Sequence, residues 1–205
     1  AVERATALGA SVLHVQVSAD SPAGRHLLES AGFRVVRTYY GMRWEGEEVP
    51  DAEPPTGFGV RSFVVGQDEE ALTNLQNAVF GDSWGFCPNT VEEIEARLNF
   101  KTCDPEGMIL VTDGERPAGY NWTFRAEGPS GSTGWIAMTG VHPDYRRQGI
   151  GRTALMAGMR YLRKVGVRTI DLEVDSQNSA AMELYSLTGF RRVRQTVWYE
   201  RALGS

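Results

Sequence analysis

His142-Pro143-Asp144-Tyr145-Arg146-Arg147-Gln148-Gly149-Ile150-Gly151-Arg152-Thr153 follows a strand pattern ending at Val141 and runs straight into a helical pattern from Gly151 to about Val165. Glycines let successive amides turn toward one centre, and a helix N-terminus adds partial positive charge, so the stretch is a natural anion cradle. Arg146, Arg147 and Arg152 add full charges around it, and a pyrophosphate suits such a cluster. The 21 basic and 26 acidic residues of the chain leave a formal net charge of -5. The arginines are therefore a local patch on an acidic chain, which lacks the broad basic face that grips nucleic acid. Without a Gly-Lys-Ser/Thr run, a nucleoside-triphosphate P-loop is excluded. Gly149, Gly151 and Ala154 formally satisfy a dinucleotide fingerprint, with Asp171 about twenty residues on. Against it, seven residues (His142 to Gln148) separate the first glycine from the strand, and Asp171 starts a strand instead of ending one.

Upstream of this loop, from Gly59, the pattern predicts a strand (Val60 to Val64), a helix opened by Asp68 (Glu69 to Phe80) and a loop through Trp84 and Pro88. A second helix capped by Thr90 (Val91 to Leu98) follows, then strands over Met108 to Thr112, Ala118 to Phe124 and Trp135 to Val141. Downstream come a strand (Thr169 to Val174), a helix (Ser179 to Leu187) and a last strand (Phe190 to Tyr199). Strands and helices mixed in this way specify an α/β or α+β layered fold. The 205 residues, 41% hydrophobic, are enough for one domain or one plus a fragment. Apolar runs such as Met108 to Val111 are far too short for a membrane helix, which needs about 20 residues. Cys87 and Cys103 lack the short paired spacing of a zinc site, so no metal is expected, and two reduced thiols fit a cytoplasmic protein.

Sliding the chain by 157 positions lays Leu13–Arg43 on Ile170–Glu200 without a gap. Gly9, Val17, Ala23 and Leu27 meet Gly166, Val174, Ala180 and Leu184. Gly32, Phe33, Arg34, Val36 and Arg37 meet Gly189, Phe190, Arg191, Val193 and Arg194. Both copies read as strand, helix, Gly-Phe and strand, so a duplicated β-α-β piece is expected. Between the copies, residues 45–57 are rich in Glu, Asp and Pro, a composition that reads as a linker unable to pack. The chain begins without methionine inside a helical pattern (Ala1 to Leu8) and reads as a fragment. Gly204 and Ser205 follow no structural logic and read, in the tail 203–205, as a cloning scar.

Arg146-x-x-Gly149-x-Gly151 after Val141, followed by Asn178-x-x-Ala181-x-x-Leu184-Tyr185-x-x-x-Gly189-Phe190, resembles the acetyl-coenzyme A signature of the GNAT N-acetyltransferases. The resemblance covers about residues 57 to 202, and residues 58–202 are expected to form one complete domain of that kind. Leu13 to Trp44 resembles the second half of another, so residues 1–44 are expected to be the C-terminal half of a degenerate copy. That tandem layout, with Tyr120-Asn121-Trp122-Thr123 on the third strand, is similar to the mycothiol synthase group. The phosphate loop is equally close to the ribosomal-protein alanine acetyltransferases.

The resemblance implies a GNAT fold, a mixed and mostly antiparallel sheet with helices on both faces, and acetyl-CoA as co-substrate. It implies that main-chain groups of Thr139, Gly140 and Val141 meet the pantetheine arm, and that the stretch from Arg146 and Arg147 through Gln148, Gly149, Ile150 and Gly151 to Arg152 and Thr153 wraps the pyrophosphate. Asn178 would bond the arm. Tyr185 stands where the family places its general acid; a phenol, with an ordinary pKa of about 10, is protonated at neutral pH and can donate to a departing thiolate. The first copy has Leu28 there, which has no proton to give. Glu173 stands where the alanine acetyltransferases keep their base, with water relayed to it or a backbone carbonyl as the alternatives. The mycothiol synthase group carries an acid on strand four, and Trp135 to Gly140 contains none. Asp82, Trp84 and Phe86 lie in the loop where the family shapes its acceptor pocket. The implied activity is acetyl transfer to a primary amine of a small molecule or a peptide N-terminus, against the alternative of a non-catalytic acyl-CoA-binding module. Neither nucleic acid nor membrane is an expected partner; a homodimer or a cis contact through the partial N-terminal copy is.

Overall fold

A computed structural model describes residues 2–128 and 131–203. In chain order the elements are α1 (Val2–Ala7), β1 (Val12–Ser18), α2 (Pro22–Ser30), β2 (Arg34–Trp44), β3 (Phe58–Ser62), α3 (Glu69–Phe80) and α4 (Val91–Leu98). There follow β4 (Cys103–Asp113), β5 (Arg116–Gly128), β6 (Gly131–Val141), a 3-10 turn (Pro143–Tyr145), α5 (Ile150–Lys164), β7 (Thr169–Asp175), α6 (Ser179–Leu187) and β8 (Arg191–Ala202). Two compact units result: residues 44–172, and residues 1–43 together with 173–205.

In the larger unit β3, β4, β5 and β6 form an antiparallel meander, and β6 pairs in parallel with the first half of β7, from Thr133 opposite Thr169 to Ile136 opposite Leu172. Six successive β4 residues, Gly107 to Thr112, are buried, as expected for a strand covered on both faces. One face packs Met108, Leu110, Tyr120 and Trp122 under α3 and α4 through Leu72, Leu75 and Ile94. The other packs Val111 and Ala118 under Ile150 and Ala154 of α5. Each large apolar side chain buried in this way contributes about 1.5–3 kcal/mol. A Cβ on Gly158 would overlap the Asn121 amide, and one on Gly119 would come within 2.6 Å of Ile150, so glycines let α5 settle close to β5.

Local signals account for the helix ends. Thr90 and Glu93 form a reciprocal capping box at α4. Asp68, expected to cap α3, makes no side-chain cap bond. Its carboxylate instead receives a two-pronged bond from Arg61 at 2.5 and 2.8 Å and the Val64 amide at 2.8 Å. The Arg61 bonds, with the Val64 amide behind them, hold this carboxyl below the ordinary aspartate range against the opposing effect of burial. A depressed folded-state pKa gives stability that is complete above about pH 4 and is lost as pH falls through the lowered value. Asp68→Asn is expected to remove about 1.5–3 kcal/mol at neutral pH and to flatten that acid limb, as read by urea melts at pH 7 and pH 3.

In the smaller unit β8 lies between β1 and β2, antiparallel to both. Phe33, Val197 and Tyr199 form its core with Leu13, Val15, Val17 and Leu28 packed around them. The two segments related by the 157-residue offset share strand, capped helix and turn glycine. Ser21 and Asn178 each accept an amide at their helix N-terminus, and Gly32 and Gly189 hold φ of 79° and 92°. Tyr39 sits opposite Thr196, its own counterpart under that offset, so a local twofold passes between β2 and β8. The organisation therefore departs from the expected boundaries. Residues 58–202 do not stand apart from 1–44, because β8 finds its hydrogen-bond partners in β1 and β2. Leu203, assigned to the tail, is buried with its amide bonded to Ser11.

Residues 45–57 also differ from the expected loose linker. They lie along α5, held by Arg160 and Arg163, with Ala52 buried. The composition suggested a solvated segment; backbone carbonyls, whose availability composition does not reveal, supply the bonds.

Candidate functional site

The predicted anion loop is built in the larger unit between β6 and α5. After the 3-10 turn, Arg147 holds φ 63° and Gly149 φ 84°, alternating with ordinary residues. That pattern turns successive amides toward a common centre. A left-handed arginine costs about 1–2 kcal/mol relative to an ordinary conformation, and such strain collects at ligand clamps. The first-turn amides Ile150, Gly151 and Arg152 have no intrahelical acceptor, as for every helix start, while the Thr153 amide already bonds to Gly149. Arg147, Gln148, Gly149 and Arg152 are exposed.

The other predicted contributors divide by what their side chains do. Ile150 is 1% exposed in the α5 core, so only its amide can face an anion. Thr153 is buried, and its hydroxyl donates to the Glu53 carbonyl at 3.4 Å. Arg146, expected beside the phosphates, directs its guanidinium to the carbonyls of Val141 and Val79, both at 3.4 Å. These bonds tie the end of β6 to the end of α3. Tyr145, just before it, donates to Asp113 at 3.0 Å and packs edge-on against Phe58. Burial, then the Asp113 bond, push this phenol up, so it stays a donor.

Thr139, Gly140 and Val141 end β6. Thr139 accepts a bond from Asn121 at 2.7 Å. Gly140 is buried where a Cβ would come within 2.7 Å of Val79 and 2.8 Å of Tyr120. The β5 register shifts between Trp122 and Thr123, leaving Ala137 as a bulge in β6 directly after Ile136, where pairing with β7 stops. A bulge bends its strand. Beyond it, Met138–Val141 pair with Gly119–Trp122 of β5.

The smaller unit carries the second motif. Asn178 uses Oδ1 to cap α6 through the Ala181 amide at 3.1 Å; its Nδ2 carries two further donors. Tyr185 is 7% exposed, with its ring 5.8 Å from Phe190. Glu173 faces away from buried Leu172 and Val174, as strand alternation requires, and its carboxylate pairs with Arg194 at 3.2 Å. That guanidinium, matched to Arg37 in the repeat but not to Glu173 by the sequence, lies 21 positions away on β8. Asn89 was also missed: it anchors the end of the Asp82–Phe86 loop through Asn77, Gln76 and Arg97.

The profile of the Acetyltransferase (GNAT) family matches residues 70–190, from α3 to the turn before β8. The chain belongs to the GNAT family. Its fold, a mixed sheet with helices on both faces, is the GNAT fold. Among its relatives, the mycothiol acetyltransferase of Kytococcus sedentarius is 34% identical over 187 residues, 88% of this chain and 62% of that protein. The mycothiol acetyltransferase of Stackebrandtia nassauensis is 34% identical over 206 residues, 98% of this chain and 67% of that protein. The chain thus spans slightly under two thirds of the first relative. A crystal structure of a GCN5-related N-acetyltransferase from Sphaerobacter thermophilus superposes with a TM-score of 0.81 at 27% identity, covering 95% of this chain and 61% of that one. A tandem GNAT protein from the clavulanic acid biosynthesis pathway gives 0.73 at 14% identity, covering 99% and 67%, a likeness of fold. No helix among the described residues is long and apolar enough to cross a membrane.

Proposed function

We propose that this chain is an acetyl-CoA-dependent N-acetyltransferase acting on a primary amine of a small molecule, with the free-amine form of mycothiol as the first acceptor to test. The observation that carries the proposal is the loop Arg147–Arg152, where two left-handed residues and a helix start aim amides at one point beside exposed Arg147 and Arg152. Its chemistry suits a diphosphate, and the family supplies the acyl donor that bears one. The choice of acceptor rests on relatives at 34% identity that carry the mycothiol acetyltransferase name.

Acetyl-CoA supplies an activated thioester. In this proposal the loop amides hold the diphosphate, and the main-chain edge of Thr139–Val141 and the Asn178 amide orient the arm. Tyr185 delivers its proton to the sulfur as the carbon–sulfur bond breaks and the nitrogen–carbon bond forms. Glu173, directly or through water, accepts the proton that the neutral amine sheds as its nitrogen bonds to the carbonyl carbon. Arg194 orients that carboxylate. The proton lost from nitrogen and the proton gained by sulfur balance, giving an amide and a free thiol.

Thiol release from acetyl-CoA, followed across a panel that includes the free-amine form of mycothiol, glucosamine and an alanyl peptide, tests the reading. Turnover is expected with the mycothiol precursor above the others; CoA binding with silence across the panel would favour a non-catalytic binding module. Glu173→Gln is expected to lower kcat by about 10²-fold in the same assay. Unchanged kcat would move the base to a carbonyl or another group.

A further inference from the structure

Residues 44–58 run the length of α5 in reverse, from its C-terminal end to its cap. Arg163 stacks over the Trp44 ring at 5.9 Å and donates to the Glu47 carbonyl at 2.9 Å. Arg160 follows: it donates to the carbonyls of Pro50 and Ala52 at 3.4 and 3.3 Å and pairs with Asp51 at 3.0 Å. Thr153 then donates to Glu53, and Pro55 Cγ lies 3.6 Å from the position a Cβ would take on Gly149. A turn closed by the Phe58 amide on Pro55 brings the Phe58 ring against Tyr145. Tyr145, just before the anion loop, therefore touches Phe58, and Pro55 lies where a Cβ on Gly149 would reach ordinary van der Waals contact.

We infer that the strap is a wall of the phosphate cradle and that Arg160 is a positioning residue for it. Arg160 lies about 16 Å along α5 from Gly149, too far to meet the ligand's diphosphate when the cradle holds it. It acts by fixing the strap. Three acceptors from Pro50, Asp51 and Ala52 converge on one guanidinium, a fork that a lysine cannot reproduce. Pro54 and Pro55 restrict the backbone between that anchor and Gly149, so displacement at Arg160 is passed along a stiff segment to the cradle. The inference rests on the diphosphate reading for its consequence, but the strap-to-loop contact stands without it.

The test uses the full chain. In Arg160→Gln, hydrogen exchange of the Thr153 amide, which bonds the Gly149 carbonyl at the end of the loop, is expected to speed up about tenfold without ligand, while Met156–Leu162 in the same helix keep their protection. CoA titration is expected to show about tenfold weaker affinity, with KM for acetyl-CoA rising by a similar factor and kcat much less affected. Arg160→Lys should recover only part of each change. Wild-type exchange at Thr153 in Arg160→Gln would overturn the inference, and so would equal acceleration along all of α5, which would mean general loosening. If the wild-type chain fails to bind CoA while the loop exchange responds as expected, the strap holds and the diphosphate reading falls.

Discussion

Tyr185→Phe is expected to lower kcat by about 10²-fold while leaving CoA affinity within twofold of wild type. The ring is 7% exposed and packs 5.8 Å from Phe190, so phenylalanine keeps the shape and the core contact and removes only the hydroxyl. A thiolate leaving a thioester without a proton donor is a poor leaving group, so the loss belongs in the chemical step. The first copy holds Leu28 at the corresponding position, packed into the smaller unit's core, which shows that the site tolerates an apolar residue structurally. Steady-state kinetics with a titration of CoA checks this. Unaltered kcat would remove Tyr185 as the acid, and a parallel collapse of CoA affinity would make it a binding residue.

Gly149→Val is expected to weaken CoA binding by about 10²-fold. At φ 84° a β-branched residue is strained by about 1–2 kcal/mol before any contact is considered. Its Cβ would sit 3.6 Å from Pro55 Cγ, an ordinary distance, but the two methyls beyond it point into the strap or over the amides that face the anion. Either way the cradle deforms. Gly149→Ala carries the backbone strain with a Cβ that fits, so about tenfold weakening is expected. Calorimetric titrations of both variants decide the matter: equal, near wild-type affinities would show that backbone amides near Gly149 do not hold the ligand.

Much of the fold was legible because its signals are local. α3, α4 and α6 begin and end where periodicity placed them, with Asp68 and Thr90 marking the first two starts, and the loop into α5 announced itself through Gly149 and Gly151. The strands were found but drawn short: β4 begins at Cys103 and β5 extends to Gly128, because pairing partners prolong strands through residues of weak propensity. What stayed hidden depends on distant pairs. Asp68 looked like a cap until Arg61, seven residues earlier, claimed it. The carbonyls of Val79 and Val141 within reach of Arg146 were likewise invisible in the sequence. The Ala137 bulge, which ends the β6 pairing with β7, follows from register and leaves no mark in composition. The acidic, proline-rich strap read as solvent-exposed linker because its partners, Arg160 and Arg163, lie more than a hundred residues away.

On this reading the amides from Gln148 to Arg152 hold the diphosphate of CoA. Amide NMR of the full chain titrated with CoA tests it most directly, with pantetheine, which lacks the diphosphate, as the control. Large downfield shifts confined to Gln148–Arg152 with CoA and absent with pantetheine are the predicted result. Saturable CoA binding that leaves those five amides unmoved would place the diphosphate elsewhere.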